Sequence, residues 1–140
     1  MSHVSKIEME IQSLHDLKLA CKDMGLTFVK NQKTYAWYGR WVGDYPLPEG
    51  KTVEDLGKCD HAIQVPGCEY EIGVIKKPEG GYELVWDFWR SGGLENVLGK
   101  DAGKLKQAYA KVKVFKEARL NGYQVSHIRT DTGIRLTLTA

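Results

Sequence analysis

Long apolar runs are missing from this chain. No stretch of about 18 apolar residues is present to cross a bilayer, which excludes a membrane-spanning helix. Cysteine is scarce as well: 3 residues, an odd number, far apart and with no Cys-x-x-Cys pair. That usage fits a reducing cytoplasm and excludes a disulfide framework. The amino terminus, Met1 to Ile11, has no hydrophobic core of the signal-peptide kind, and no signal peptide is expected. Charge of one sign is lacking overall, since 20 Lys+Arg face 18 Asp+Glu. Nucleophile elbows of the Gly-x-Ser-x-Gly type are absent, and Ser91 in Arg90-Ser91-Gly92-Gly93 does not supply one.

Rings are abundant by contrast. The 140 residues include 4 Trp, 7 Tyr and 3 Phe, too many for a chain without a core. A chain of this length buries roughly two-thirds of its unfolded surface without needing a metal or a disulfide. We therefore expect a single domain spanning 1–140. Near-neutrality hides an asymmetry: residues 44–71 carry a net −5 and residues 101–121 a net +4. Such segments are ordinarily solvated surfaces, and they also steer charged partners.

Strict alternation places Ile7, Met9 and Ile11 on one face of a half-buried strand. Ser13, with Asp16 three residues on, opens a helix. Leu14, Leu17, Cys21 and Met24 form its apolar stripe, and Gly25 ends it. Leu26 to Val29 is a short β-prone run. Thr34 to Tyr38 reads as a second strand pairing back on the first. Residues 39–60, with glycine and proline throughout, read as a long irregular loop with one helical turn at Val53 to Leu56. Strands are expected at His61 to Val65, Tyr70 to Ile75 and Tyr82 to Trp89, and a long helix at Lys104 to Asn121. A hairpin runs from Tyr123 to Arg129 and Ile134 to Thr139, with Ile134, Leu136 and Leu138 on one face and a turn at Thr130 to Gly133. The fold class is α+β: a mostly antiparallel sheet with two helices packed on one face. Each helix is followed by a glycine and strand-like sequence, which suggests an internal β-α-β-β duplication.

Several short runs carry a resemblance. They are Ser2-His3-Val4-Ser5-Lys6-Ile7, Gln107-Ala108-Tyr109-Ala110, Gly122-Tyr123-Gln124-Val125, and Asp131-Thr132-Gly133-Ile134-Arg135-Leu136. Together they resemble a domain family of unknown function found in cyanobacteria, algal plastid genomes and bacterial viruses. Val4 stands where that family usually has Phe. The resemblance covers both ends and the strand Tyr82 to Trp86, and leaves the middle loop unmatched. It brings no catalytic residues with it, and it implies an accessory or binding protein.

Candidate sites weigh differently against their structural alternatives. Cys59, His61 and Cys68 are the nearest approach to a metal cluster, but tetrahedral zinc wants four ligands, and only His3 or His127, both distant, remains. The same residues read more simply as a strand start and a turn, and neither a metal nor a cofactor is expected. Pairing Cys59 or Cys68 with His61 or His127 would give a nucleophile and base, hence an enzyme reading of hydrolase type, but no local signature supports it. Gly93 to Asp101 imitates a phosphate loop. Five residues rather than four separate its glycines, and Asp101 replaces the magnesium-binding hydroxyl.

On the long helix, Lys106 and Lys113 lie on one flank of the apolar stripe and Lys104 and Lys111 on the other. Their heads are expected in water. Lys116 and Arg119 fall near the stripe's centre; either the helix end overhangs the sheet or they form an anion site. Tyr35-Ala36-Trp37-Tyr38-Gly39-Arg40-Trp41 and Trp86-Asp87-Phe88-Trp89-Arg90 place rings on both faces of a strand, more than one core explains. Three readings stand: the long loop folds over the outer face, the rings form a protein interface, or they stack on a nucleotide or single-stranded nucleic acid. The leading expectation is a cytoplasmic, non-enzymatic binding protein that contacts another protein, homo-oligomer included, without a membrane. The alternative is a small-ligand, nucleotide or nucleic-acid binder using Tyr38, Arg40, Trp41, Trp89 and Arg90.

Overall fold

Ile7, Met9 and Ile11 build strand β1 (Val4–Ile11), and Ser13 then caps helix α1 (Leu14–Asp23) by accepting the Asp16 N–H at 3.2 Å. Gly25, with φ at +73°, turns the chain into β2 (Thr27–Val29). The computed structural model describes residues 2–122, 124–130 and 133–139. Strands β3 (His61–Gln64), β4 (Glu71–Lys76) and β5 (Tyr82–Asp87) follow a long irregular stretch that holds one 3-10 turn, Val53–Asp55. A short helix α2 (Leu94–Leu98) and the long helix α3 (Gly103–Leu120) come next, then the hairpin of β6 (Gln124–Thr130) and β7 (Gly133–Thr139).

Five strands form one antiparallel sheet in the order β1-β5-β4-β3-β2. The α+β class expected from the hairpin-rich pattern is the one found. The helices number three, because the five-residue α2 between Gly93 and Gly99 is too short to leave a periodic signature. Among the described residues β6 and β7 pair with each other and not with the larger sheet. The strand pairing thus gives no second copy of the β1-α1-β2 arrangement. Tyr123, Asp131 and Thr132, and the side chains of His127, Ile134, Leu136 and Leu138, lie outside the described residues.

One face of the sheet carries the main core. Ile7, Ile11, Ile63, Ile72, Val74, Leu84 and Trp86 meet Leu17, Ala20 and Cys21 of α1 and Leu105, Ala108 and Tyr109 of α3. Trp86 is sealed there at 1% exposure, so this indole belongs to the interior rather than to a surface. Lys111 departs from the expected solvated flank. Its ammonium is buried and donates to Asp23 Oδ2 at 2.8 Å, which joins α3 to α1 through a charge-assisted bond. A lysine whose stem lies between two packed helices reaches a carboxylate before it reaches water.

The opposite face is covered by the chain's own loop. The expected strand at Thr34 to Tyr38 is not formed; Thr34 makes an isolated bridge to Lys58, and β2 pairs with β3. The reason lies in where the backbone donors go. Ala36 N–H donates to Glu71 Oε1 at 2.9 Å and Tyr38 N–H to Asp87 Oδ2 at 3.0 Å, so carboxylates replace a strand ladder. The residue alternation survives. Tyr35 and Trp37 turn toward the sheet, where they join Cys59, Ala62, Val85 and Ile75 in a second cluster. Tyr35 lies on Gly73, where a Cβ would stand 2.4 Å from its ring carbon Cδ1, and Trp37 lies on Gly57, where a Cβ would stand 2.6 Å from Nε1. The sequence's first alternative, loop cover, describes these two rings.

Glu83 fastens the same face. Its Oε1 takes Lys51 Nζ at 2.7 Å and its Oε2 takes Lys6 Nζ at 3.2 Å, which links the loop, β5 and β1. Burial alone would raise this carboxyl, but the hydrogen bonds and charges of Lys51 and Lys6 outweigh it and hold the pKa below its ordinary value. A carboxyl that is more acidic folded than unfolded stabilises the fold above the ordinary carboxylate range. That contribution fades as the pH falls through the folded value. Glu83→Gln is therefore expected to be less stable than the parent at neutral pH and to lose part of the parent's acid-induced fall in urea midpoint. Urea curves over a pH series check this, and an undiminished fall in the variant counts against the assignment.

Candidate functional site

Asp87 is fully buried at the end of β5 and has no cationic partner among the described residues. Its carboxylate is satisfied by backbone instead. Oδ1 accepts the N–H groups of His3 and Trp89, and Oδ2 accepts that of Tyr38, all at 3.0 Å. Three segments distant in sequence thus meet at one carboxylate. Phe88 N–H donates back to His3 O at 3.0 Å and closes the junction.

Rings surround this junction. His3 sits 5.1 Å from Tyr45, 5.2 Å from Phe88 and 4.9 Å from Trp89, centroid to centroid, and Tyr45 meets Phe88 edge to face at 5.0 Å. The His3 Nε2 lies 3.0 Å from Asp44 Oδ2. Trp41 Nε1–H donates to Tyr45 O at 3.1 Å, which orients the indole while leaving it 39% exposed. Tyr38 and Val42 are exposed beside it. Arg40 lies over the Tyr38 ring at 5.9 Å and Arg90 over Trp89 at 5.4 Å.

Five residues singled out by composition, Tyr38, Arg40, Trp41, Trp89 and Arg90, therefore come to one corner of the sheet. Trp89 reaches it by leaving the strand: β5 ends at Asp87, and Trp89 caps the 3-10 turn Arg90–Gly92 rather than pointing from a sheet face. His3, Tyr45 and Phe88 complete the corner. Nothing in the spacing identifies them as neighbours, since they lie in separate parts of the chain. Lys116 and Arg119 are elsewhere, in a groove of about 420 Å³ between α1 and α3, where Lys116 Nζ is 3.7 Å from Asp16 Oδ1 and Arg119 lies 5.8 Å over Phe115.

The thiols and His61 do not converge. The Cys59 Sγ–H donates to Gln32 O at 3.2 Å under the loop, and burial pushes its pKa up to about 11. Cys68 packs against the main core on the other side of the sheet, and burial raises its thiol too. His61 Nδ1 accepts the Asn31 N–H at 2.9 Å, and burial lowers its pKa. Among the described residues no three His, Cys, Asp or Glu side chains are grouped to hold a metal ion, and no helix is long and apolar enough to cross a membrane.

The electrostatics of the corner are mixed. Its two arginines already lie over rings, while Asp44 and the buried Asp87 supply negative charge from within. The exposed Trp, Tyr and Arg side chains are of the types enriched at protein interfaces.

No curated protein and no solved structure matches the chain. A family model described as "Protein of unknown function (DUF1257)" matches residues 49–138. The match starts inside the loop, takes in the middle of the chain that the terminal motifs left uncovered, and begins after the Ser2 to Ile7 motif. Spanning well over half of the sequence, it shows that the chain belongs to this family, whose function is unknown.

Proposed function

We propose that this chain is a non-enzymatic binding protein that recognises another protein through the corner formed by Tyr38, Arg40, Trp41, Trp89 and Arg90. One observation carries the reading. The loop seals the sheet with Tyr35 and Trp37, then continues into exposed Tyr38, Trp41 and Val42, rings and apolar surface that the core does not use. Asp87 anchors the backbone of Tyr38 and Trp89 from beneath before any partner arrives, which lowers the ordering cost of binding. The thiols weigh against a cysteine nucleophile in particular: burial raises Cys21 to about 12 and Cys59 to about 11, far from the thiolate such chemistry requires.

Trp41→Ala is expected to unfold within about 0.5 kcal/mol of the parent, as surface changes do. It is expected to weaken partner capture roughly thirtyfold, an interface loss of about 2 kcal/mol. Quantitative cross-linking capture with the tagged chain in its own cells, paired with urea unfolding, measures both. A panel of nucleotides and short oligonucleotides is expected to leave tryptophan fluorescence flat. Saturable quenching by a nucleotide that Trp41→Ala removes would overturn the protein-partner reading in favour of a base-stacking site.

A further inference from the structure

The corner opens onto a second feature, the free edge of the sheet. β1 lies outermost and pairs with β5 alone among the strands; beyond that ladder, no described group hydrogen-bonds to its backbone. Its ladder to β5 is regular over Val4 to Ile7 and shifts register between Ile7 and Ile11, so the regular part of the edge is the template for another strand. A cleft of about 660 Å³ runs beside that part, lined by Val4, Ser5, Lys6 and Glu8. Tyr45 to Glu49 from the loop, Phe88 beside the aromatic corner, and Glu95, Lys100 and Asp101 from the segment before α3 complete the lining.

Charge tells what kind of segment. Lys6 and Lys51 share the one carboxylate of Glu83, which leaves one positive charge over, and Asp101 is held by Lys106. Glu8, Glu49 and Glu95 have no cationic partner among the described residues and face a single unpaired cation, Lys100. We propose that β1 takes up an extended, basic segment of the partner protein as a sixth strand. Its main chain bonds to the β1 edge while its Lys or Arg side chains meet Glu8, Glu49 and Glu95. Backbone pairing supplies affinity and the carboxylates supply selection, the usual division in strand addition. The proposal rests on the protein-partner reading above and names the form in which that partner arrives.

The test is amide hydrogen exchange, read by NMR on the full chain, with three synthetic peptides of about eight residues, the length of β1. One alternates lysine and valine, one is its backbone N-methylated form, and one alternates glutamate and valine. The lysine peptide is expected to slow exchange of alternate β1 amides by about tenfold or more while leaving the other edge, β2, unchanged. The N-methylated and glutamate peptides are expected to do neither. The triple variant Glu8→Lys, Glu49→Lys, Glu95→Lys is expected to lose the lysine-peptide effect while keeping its own unfolding cooperative. Unchanged β1 exchange with all three peptides overturns strand addition. So does protection that survives N-methylation, or that appears without peptide as the chain doubles its mass. None of these results depends on Trp41→Ala, so the aromatic corner stands or falls separately.

Discussion

Asp87→Ala is expected to cost about 4 kcal/mol of folding stability, the largest effect of any single substitution considered, because it removes the acceptor of three backbone N–H donors around one buried carboxylate at once. The magnitude follows from the environment. Each unsatisfied buried donor costs about 1–3 kcal/mol, and partial relaxation toward water recovers some of the sum. Asp87→Asn keeps the shape and one carbonyl oxygen but turns a donor toward the N–H of either Tyr38 or the His3 and Trp89 pair. Its cost is expected to be about half that of the alanine variant. Urea unfolding gives the free energies, and backbone amide signals of His3, Tyr38 and Trp89 report the local release. If Asp87→Ala unfolds within about 1 kcal/mol of the parent, the carboxylate is not the anchor described.

Gly73→Val is expected to be the second largest, at about 3 kcal/mol, through overpacking rather than a lost bond. Gly73 faces Tyr35 from the outer side of β4, and a Cβ there would also come within 3.0 Å of Val85 Cγ2. Tyr35 is buried and cannot retreat without carrying the loop with it. A tyrosine moved off the sheet also exposes Ala62 and Val85. Tyr35→Ala alone leaves a hole and is destabilising too, but Gly73→Val added to it is expected to cost far less than in the parent. Non-additivity of at least about 1.5 kcal/mol in the double-mutant cycle is the signature of direct contact. Strict additivity would mean that the ring and the glycine do not touch.

Much of the architecture was legible in the sequence because it is written in local periodicity. Ile7, Met9 and Ile11 alternate and Leu17 and Cys21 recur at helical spacing, and the structure buries them, Met9 only in part, as those patterns require. Thr34 to Tyr38 misled for a physical reason. A ring-bearing loop laid flat on a sheet has the composition and alternation of a strand, and only the destination of its N–H groups tells them apart. Those destinations, Glu71 and Asp87, lie 35 and 49 residues away from the donors they serve, beyond any local window. The aromatic and arginine residues of the corner were legible as a surplus. Their companions His3, Tyr45 and Phe88 were not, since proximity in space left no trace in spacing. Lys116 and Arg119, read as off-pattern cations, lie in the groove against α1.

The three bonds converging on Asp87 have a consequence for the order of folding. Two of them close separations of 84 and 49 residues, and their entropic cost is met only once β5 is paired. The proposed recognition surface is thus expected to form late. A partner docking there would meet only chains whose sheet is already complete, and the corner would act as a certificate of a finished fold.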